Sequence, residues 1–445
     1  MLINIIHYLL LLFLFLLPWQ SRLVYQAATL NGGFWEYGGS SWYATEVLLW
    51  TIIVLSFISI LRRRKEWQNA KSKKVYLFIS LLVIGYFVIE IFHSLNADIS
   101  FNFVFRLIGA TCLVVIVLIN QSTNKLITSL WLGGVVQGLL AIWQFFSQKI
   151  IHLPFSGIAS HLSQDLGAFV IEAGDERWLR AYGAFGSPNI LGGFLAITFL
   201  FGLLLYLGIQ DKRYKIALTV GEIIIGLGLL FSFSRAAWIA VEVGIALTII
   251  LLWKNKVGFK KILAPLLISA GAALVAASFF LPLFTTRLTS QGRLEQQSRT
   301  TRVEQYQDFK TIFWSPLLTK EGVGGGLPRL GRALFGVGPG AYTLALYKNN
   351  PTLPVWRYQP IHNIYLLILA ELGILGFIGV AVLMCCAVVL TWKHNRLFFP
   401  ILISLFILGL FDHWLWSMYV GQMVCWLMIG LGLKQKPAVT SISQT

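Results

Sequence analysis

The chain has 445 residues, of which 57% are hydrophobic and only 12% are charged, and its formal net charge is +17. Average soluble domains carry about 25% charged residues, so too little polar surface remains here to cover a water-soluble core. The composition therefore excludes a soluble enzyme, a nucleic-acid-binding protein, a collagen and a disordered chain, and it predicts a protein that crosses a membrane several times.

Twelve apolar segments approach the length of about 20 residues that a membrane-spanning helix needs. They predict an all-α, polytopic transmembrane bundle. The first segment is interpreted as a span and not as a cleaved signal, since no small-residue cleavage site follows it. The predicted spans are 2–19, 44–61, 75–95, 99–119, 126–146, 187–209, 216–233, 235–253, 262–282, 362–391, 397–413 and 414–433.

Lys and Arg are distributed unevenly between the short connections. With a cytoplasmic N-terminus, and with Arg235 left aside at the edge of a span, the inner segments hold 19 basic residues and the short outer loops hold only Arg22. The positive-inside rule then predicts that both termini are cytoplasmic. This gives helices 1–9 within residues 1–282, with an outer loop at 147–186, a large extracytoplasmic loop at 283–361, helices 10–12 within 362–433 and a tail at 434–445.

Charged residues inside predicted spans are expensive and therefore need partners. Glu90 and Arg106 lie on consecutive spans at similar depth, which predicts a structural ion pair. Glu222 and Glu242 also lie inside predicted spans, and such residues leave open a transport path. The four cysteines lie inside apolar runs and none is at metal-ligand spacing in a loop, so we expect neither disulfides nor a zinc site, and no metal or cofactor is predicted.

The large outer loop carries ten basic and four acidic residues. One explanation is a solvated loop against anionic lipid headgroups, and the other is a site for an anionic, phosphorylated ligand. Arg235 lies elsewhere in the chain, in the very short turn between the predicted spans 216–233 and 235–253. It is either a snorkelling anchor or a ligand-binding residue.

Residues 298–314 of this loop predict a short amphipathic helix on the outer membrane surface. Thr301 and Glu304 form a capping-box pattern, so the helix should begin there, and Arg302 should lie in its first turn. A cation is unfavourable at that position, which indicates a role for Arg302 outside the helix. An apolar stripe follows at helical spacing, formed by Val303, Tyr306, Phe309, Ile312 and Phe313.

Polar residues also mark the outer ends of the last three spans. His362 lies at a helix N-terminus, which disfavours the imidazolium form, so the ring can accept a proton or can simply be an interfacial polar residue. Glu371 lies deeper and is interpreted as a structural partner inside the bundle. The turn at Asp412-His413-Trp414 either contacts an acceptor or, as we expect of a turn between two helices, serves structure.

In these motifs the chain resembles the O-antigen ligase and polymerase family. The resemblance extends over most of the chain and is sharpest from about 178 to 380. Its five parts occur in order, and together they are specific for the family. They are Arg180-Ala-Tyr-Gly-Ala-Phe-Gly-Ser-Pro-Asn189, Ser234-Arg235, Arg302 on a helix, Gly336-Val-Gly-Pro-Gly340, and His362-Asn363-x-Tyr365 with Glu371-x-Gly373.

The resemblance implies a GT-C-like glycosyltransferase without metal or cofactor. Such a protein moves a glycan from an undecaprenyl-pyrophosphate carrier to a lipid or protein hydroxyl at the outer face of the bacterial cytoplasmic membrane. It implies that His362 is the catalytic base and that Arg235, Arg302 and Arg180 bind the pyrophosphate. Four further residues are supporting, namely Asn363, Tyr365, Gly338 and Gly340.

The chain departs from the family pattern in two places. Tyr306 stands where the family usually has Trp, and residues 317–334 form a Gly-rich, basic insertion that reads as flexible. A polysaccharide polymerase that uses the same carrier remains the alternative to a ligase. A small-anion transporter of the bicarbonate type is a third hypothesis, although it should place its charges near the bilayer midplane.

Overall fold

The computed structural model describes residues 1–62, 71–119, 122–152, 157–174, 176–254, 258–289, 292–314 and 333–434. All but the last two residues of the predicted insertion at 317–334 lie outside this described part. So does the predicted tail, apart from Lys434.

Sixteen α-helices account for most of the described residues. Eight of them are long and apolar enough to cross a membrane, and four shorter apolar stretches complete a set of twelve at the positions of the predicted spans. This confirms the prediction of an all-α polytopic bundle. The twelve are α1 (Leu2–Leu16), α2 (Ala44–Arg62), α3 (Lys71–His93), α4 (Ala97–Ile119), α5 (Thr123–Ser147), α6 (Pro188–Gly208), α7 (Lys212–Phe231), α8 (Arg235–Lys254), α9 (Lys260–Phe279), α13 (Ile364–His394), α14 (Phe399–Phe411) and α16 (Tyr419–Gly432).

Short elements collect at the end of the bundle where α7 ends and α13 begins. Four antiparallel two-stranded sheets lie in the connections after α1 and after α5. The four remaining helices of the described chain are α10 (Leu281–Thr289), the longer α11 (Arg293–Trp314), α12 (Tyr342–Asn349) and α15 (Trp414–Ser417). The strands are β1 (Arg22–Gln26), β2 (Thr29–Leu30), β3 (Gly33–Phe34), β4 (Ser40–Tyr43), β5 (Lys149–Ile150), β6 (His161–Leu162), β7 (Val170–Ala173) and β8 (Glu176–Leu179).

Helix α6 forms the centre of the bundle. Ser187 caps it by accepting a hydrogen bond from the Asn189 backbone N–H, and Pro188 occupies its first turn, where the missing N–H costs nothing. Its 21 residues are apolar on every face, and nearly all of them are buried. A helix that is hydrophobic all round belongs in a core. The N-terminal end of α6 therefore offers a rigid support for the turns at that end of the bundle.

Helix α13 is interrupted at Gly373, whose φ of +64° lies outside the helical region. The backbone of the Gly336–Gly340 segment packs into this kink. The Val337 and Gly338 N–H groups donate to the carbonyls of Ala370 and Glu371, at 3.0 and 2.8 Å. A Cβ on Gly373 would lie 2.4–2.5 Å from the backbone of Leu334 and Phe335. The glycines thus allow a contact between two backbones.

The predicted start of the helix at Thr301 is wrong. Helix α11 begins eight residues earlier, at Arg293, so Arg302 lies in mid-helix and not in the first turn. The preceding segment is rich in Leu, Glu, Gln and Arg, which are good helix formers, and Glu295 in the first turn suits the helix dipole. Glu304 pairs with Arg357 instead of capping the helix.

The apolar stripe of α11 is only partly correct. Phe309, Ile312 and Phe313 are buried, whereas Val303 and Tyr306 are exposed.

The predicted ion pair between Glu90 and Arg106 is also wrong. Arg106 lies 3.6 Å from Glu46 of α2 and donates to the Ser41 carbonyl at 2.8 Å. Its guanidinium also lies over the Tyr43 ring, 5.2 Å from the centroid. Glu90 is buried on α3 and makes no ion pair with Arg106. Similar depth on consecutive helices does not make Glu90 and Arg106 partners, because Arg106 faces α2 and β4.

Candidate functional site

Arg302 and His362 line one small cavity at the end of the bundle described above. Helix α11 supplies Arg302, and the segment immediately before α13 supplies His362. The remaining lining residues come from the same two elements and from the end of α14, and they are Gln305, Tyr306, Ile361, Leu410 and Phe411. The structure therefore brings together the predicted base and one of the predicted pyrophosphate-binding arginines.

Gln305 fixes the proton of the His362 ring. Its Oε1 lies 2.9 Å from Nδ1 of His362 and 3.3 Å from the backbone N of the same residue. A backbone N–H can only donate, so the atom it contacts is the amide oxygen of Gln305. That oxygen can only accept, which assigns the proton of neutral His362 to Nδ1. The Nε2 lone pair is then available to take a proton.

Helix capping orients this histidine. Asn363 caps α13, and its Oδ1 accepts hydrogen bonds from the backbone N–H groups of Tyr365 and Leu366, at 3.0 and 3.1 Å. Its amide donates to the Leu410 carbonyl at 3.3 Å. The hydroxyl of Tyr365 donates to the Phe406 carbonyl at 2.8 Å. The predicted supporting residues Asn363 and Tyr365 thus join α13 to α14 beside His362.

The turn after α14 contributes two more polar residues to this place. The rings of His413 and His362 meet edge to face, with centroids 5.1 Å apart. Asp412 is buried and accepts from the His413 N–H at 2.7 Å and from the Asn189 amide at 3.1 Å. We expected this turn to serve structure, but it lies against the candidate base.

Burial and nearby charges set the protonation of this group. Burial lowers the pKa of His362, Asp412 opposes this effect, and Arg302 adds to it, so that the pKa stays below 6.5. Burial also lowers the pKa of His413, to about 4. Burial alone would raise the pKa of Asp412, but His362, His413 and two hydrogen bonds hold it below 3.8. At neutral pH the two rings are neutral and the carboxylate is charged.

Arg235 belongs to a second cluster, on the turn between α7 and α8. It lies 3.2 Å from Glu295 of α11 and donates to the Arg287 carbonyl at 3.2 Å. Arg287 of α10 is buried, forms an ion pair with Glu295 and donates to the Phe233 carbonyl at 2.9 Å. Repulsion from Arg302 is among the causes that lower the pKa of Arg287, after burial. The two clusters therefore act on each other electrostatically.

Arg180 supports the turn between α7 and α8. Its guanidinium is buried and donates to the Ser232 carbonyl at 2.9 Å and to Oδ1 of Asn189 at 2.8 Å. Burial and then repulsion from Arg287 lower its pKa. These contacts hold α7 against the start of α6, and the predicted contact of Arg180 with the pyrophosphate stays a prediction.

Gly338 and Gly340 serve backbone packing in the described structure. Both have positive φ, and a Cβ on Gly338 would collide with Ser94 at 2.1 Å. Trp416 donates to the buried carboxylate of Glu371 at 2.8 Å. Glu371 is thus a structural partner of α15, as we expected, but its partner is an indole and not a cation.

Sequence reasoning missed four residues of the two clusters, namely Gln305, Arg287, Glu295 and, as a neighbour of the base, His413. The excess of basic residues in the outer loop includes Arg287, but it does not distinguish Arg287 from the other basic residues of the loop. Nothing local distinguishes Gln305 or Glu295 from the other polar residues of α11, because their roles depend on elements distant in sequence.

Part of the chain matches a known protein family. Residues 220–381 match the model of a protein family described as O-antigen ligase. No curated protein matches the chain significantly. The matched segment includes Arg235, Arg302 and His362, whereas Arg180 lies before it. This O-antigen ligase domain supports membership of the chain in the O-antigen ligase family.

Proposed function

We propose that the chain is a glycosyltransferase that moves a glycan from an undecaprenyl-pyrophosphate carrier to a hydroxyl of a lipid or protein acceptor. The observation that carries the proposal is the cavity shared by His362 and Arg302, with Gln305 holding Nδ1 of the ring. The O-antigen ligase domain at 220–381 supports a ligase or polymerase type of activity.

In this mechanism Nε2 of His362 takes the proton of the acceptor hydroxyl. The hydroxyl oxygen then forms a bond to the anomeric carbon, and the bond from that carbon to the pyrophosphate oxygen breaks. The pyrophosphate leaves on its lipid carrier, and a single displacement inverts the anomeric centre. A neutral histidine within hydrogen-bond reach of the hydroxyl supplies the base that this step needs.

The arginines stabilise the charge that develops on the leaving group. Arg302 acts closest to the base, since both line the same cavity, and Arg235 binds the pyrophosphate from the neighbouring turn. Fixed guanidinium groups can stabilise such a transition state without a metal ion. Arg180 contributes by holding the turn that carries Arg235.

The charge bias of the loops supports a site on the extracytoplasmic side of the bacterial cytoplasmic membrane, with both termini cytoplasmic. A ligase is favoured over a polymerase because the single large outer loop comes late in the chain, with His362 at its end. The size of the product distinguishes the two, since a ligase transfers a finished polymer and a polymerase joins repeat units.

The test uses proteoliposomes with an undecaprenyl-pyrophosphate-linked oligosaccharide, an acceptor extract and EDTA. We expect the parent to release the carrier. His362→Ala should lower the rate about 10²- to 10⁴-fold, and Arg302→Ala about 10²- to 10³-fold. Two matched control variants replace exposed side chains, and their rates should equal that of the parent. They are His152→Ala in a loop and Arg299→Ala one turn before Arg302.

Carrier release that is equal in the parent and in both site variants would contradict the proposal. A folded parent that releases no carrier with any acceptor would also contradict it, and anion flux across the same vesicles would then be measured.

A further inference from the structure

Three metal-binding side chains converge beside the cavity described above. His362, Asp412 and His413 each offer one ligand atom, and these three atoms lie within 4.8 Å of one another. Asp412 and His413 are buried and His362 is half-buried. The group therefore joins the segment before α13 to the turn after α14, in a place largely shielded from solvent.

In both imidazole rings Nδ1 is engaged by a hydrogen-bond partner. Nδ1 of His362 donates to Gln305, as shown above. Nδ1 of His413 lies 2.7 Å from the Ser417 hydroxyl oxygen, and that hydroxyl donates its own proton to the His413 carbonyl at 3.2 Å. With its proton on that carbonyl, the Ser417 oxygen accepts from Nδ1, and the Nε2 lone pair of each ring is then available.

This hydrogen bonding is the kind that accompanies metal binding by histidine. A metal-ligating imidazole nearly always donates its second ring N–H to an oxygen acceptor, which fixes its tautomer and orientation. Asp412 accepts one hydrogen bond on each carboxylate oxygen, so each oxygen keeps a lone pair for a cation. Asn189 then orients this carboxylate as Gln305 and Ser417 orient the rings.

We propose that His362, Asp412 and His413 form a Zn²⁺-binding site, and that a zinc ion bound there inhibits the protein. Two imidazoles and one carboxylate are a common zinc ligand set, with water as the fourth ligand. Bonds of about 2.0–2.1 Å place tetrahedral ligands roughly 3.4 Å apart, so small side-chain rotations close the site around the ion.

Inhibition follows from the chemistry of His362. A zinc ion on Nε2 occupies the lone pair that would take the acceptor proton, and it leaves a fixed positive charge there. This part of the inference rests on the proposed function, whereas zinc binding itself does not. Arg302 repels a cation at this place, since it already disfavours the charged form of His362.

The binding test uses the full chain in detergent, carrying an affinity tag without histidine. Titration against a chromophoric zinc chelator should give a single tight site. Asp412→Asn and His413→Gln should weaken it at least about tenfold, since even the loss of an outer-shell partner costs 10–100-fold. His152→Ala removes an exposed histidine and should leave binding unchanged, and Arg302→Gln should bind zinc at least as tightly as the parent.

X-ray absorption of the zinc-loaded parent tests the ligands without any variant. Two imidazole nitrogens and an oxygen at about 2.0–2.1 Å are expected. A spectrum without imidazole ligands, or unweakened binding in folded Asp412→Asn and His413→Gln, would overturn the inference.

The activity test measures carrier release at rising zinc concentration, relative to the zinc-free rate of each variant. The zinc concentration for half inhibition should rise at least about tenfold in His413→Gln, and EDTA should restore the parent. An active parent that resists zinc would refute the inhibition alone. An inactive parent that binds zinc would refute the proposed function and leave the zinc site standing.

Discussion

Gln305 is the residue whose removal tests the proposed base most directly. Its Oε1 accepts from Nδ1 of His362 at 2.9 Å and from the His362 backbone N–H at 3.3 Å. Gln305→Ala leaves these donors without their acceptor, which costs about 1–3 kcal/mol. If this energy selects the reactive tautomer, carrier release should fall roughly 5- to 150-fold, since 1.4 kcal/mol corresponds to a factor of ten.

A second substitution separates orientation from packing. In Gln305→Glu the carboxylate can still accept from both donors, so the reactive tautomer is kept. Its negative charge favours the imidazolium form and raises the pKa of His362. We therefore expect recovery of the rate at alkaline pH and an acidic limb of the rate profile that lies at higher pH than in the parent. A purely structural role would not move this limb.

The assay is carrier release in proteoliposomes across a pH series, with thermal melting as a check of folding. Gln307→Ala changes an exposed glutamine two residues away and should match the parent. In a His362→Ala background, Gln305→Ala should cause no further loss. The reasoning is refuted if folded Gln305→Ala is as active as the parent, or if its effect persists unchanged without the histidine.

Three further predictions concern the protonation and stability of the bundle. Because the pKa of His362 lies below 6.5, its basic form predominates at neutral pH. The rate of the parent should therefore fall only as pH drops below about 6.5. A loss of rate that already begins above pH 7 on acidification would contradict this. Arg106→Ala leaves buried Glu46 unpaired and should lower the free energy of unfolding in detergent by about 3 kcal/mol, more than Glu90→Gln does. An equal loss of unfolding free energy in the two variants would contradict the assigned pair of Arg106 and Glu46. Gly373→Ala combines positive φ with a backbone collision and should cost about 2 kcal/mol or more, whereas Gly379→Ala meets no atom within 4 Å and should leave the melting temperature nearly unchanged.

The positions of the twelve helices follow from the sequence because they depend on local quantities. An apolar run of sufficient length must satisfy its backbone hydrogen bonds internally, so its helical state requires no knowledge of its neighbours. His362 could be identified for a similar reason, since it lies at the start of an apolar run, where a helix N-terminus disfavours the imidazolium form. The pattern of the sequence also singled out Arg235 and Arg302, and the resemblance to a known family supplied the role predicted for them.

Only the tertiary structure decided which side chains meet. Arg106 pairs with Glu46 and not with Glu90, because the rotation of α4 about its axis depends on all of its neighbours. The capping-box pattern at Thr301 was locally reasonable, but α11 extends back to Arg293, where Glu295 meets Arg235. Gln305 lies 57 residues from His362, and no local pattern encodes a contact across that distance. The packing of α11 against the start of α13 creates the contact, and it thereby determines which nitrogen of the histidine can act as a base.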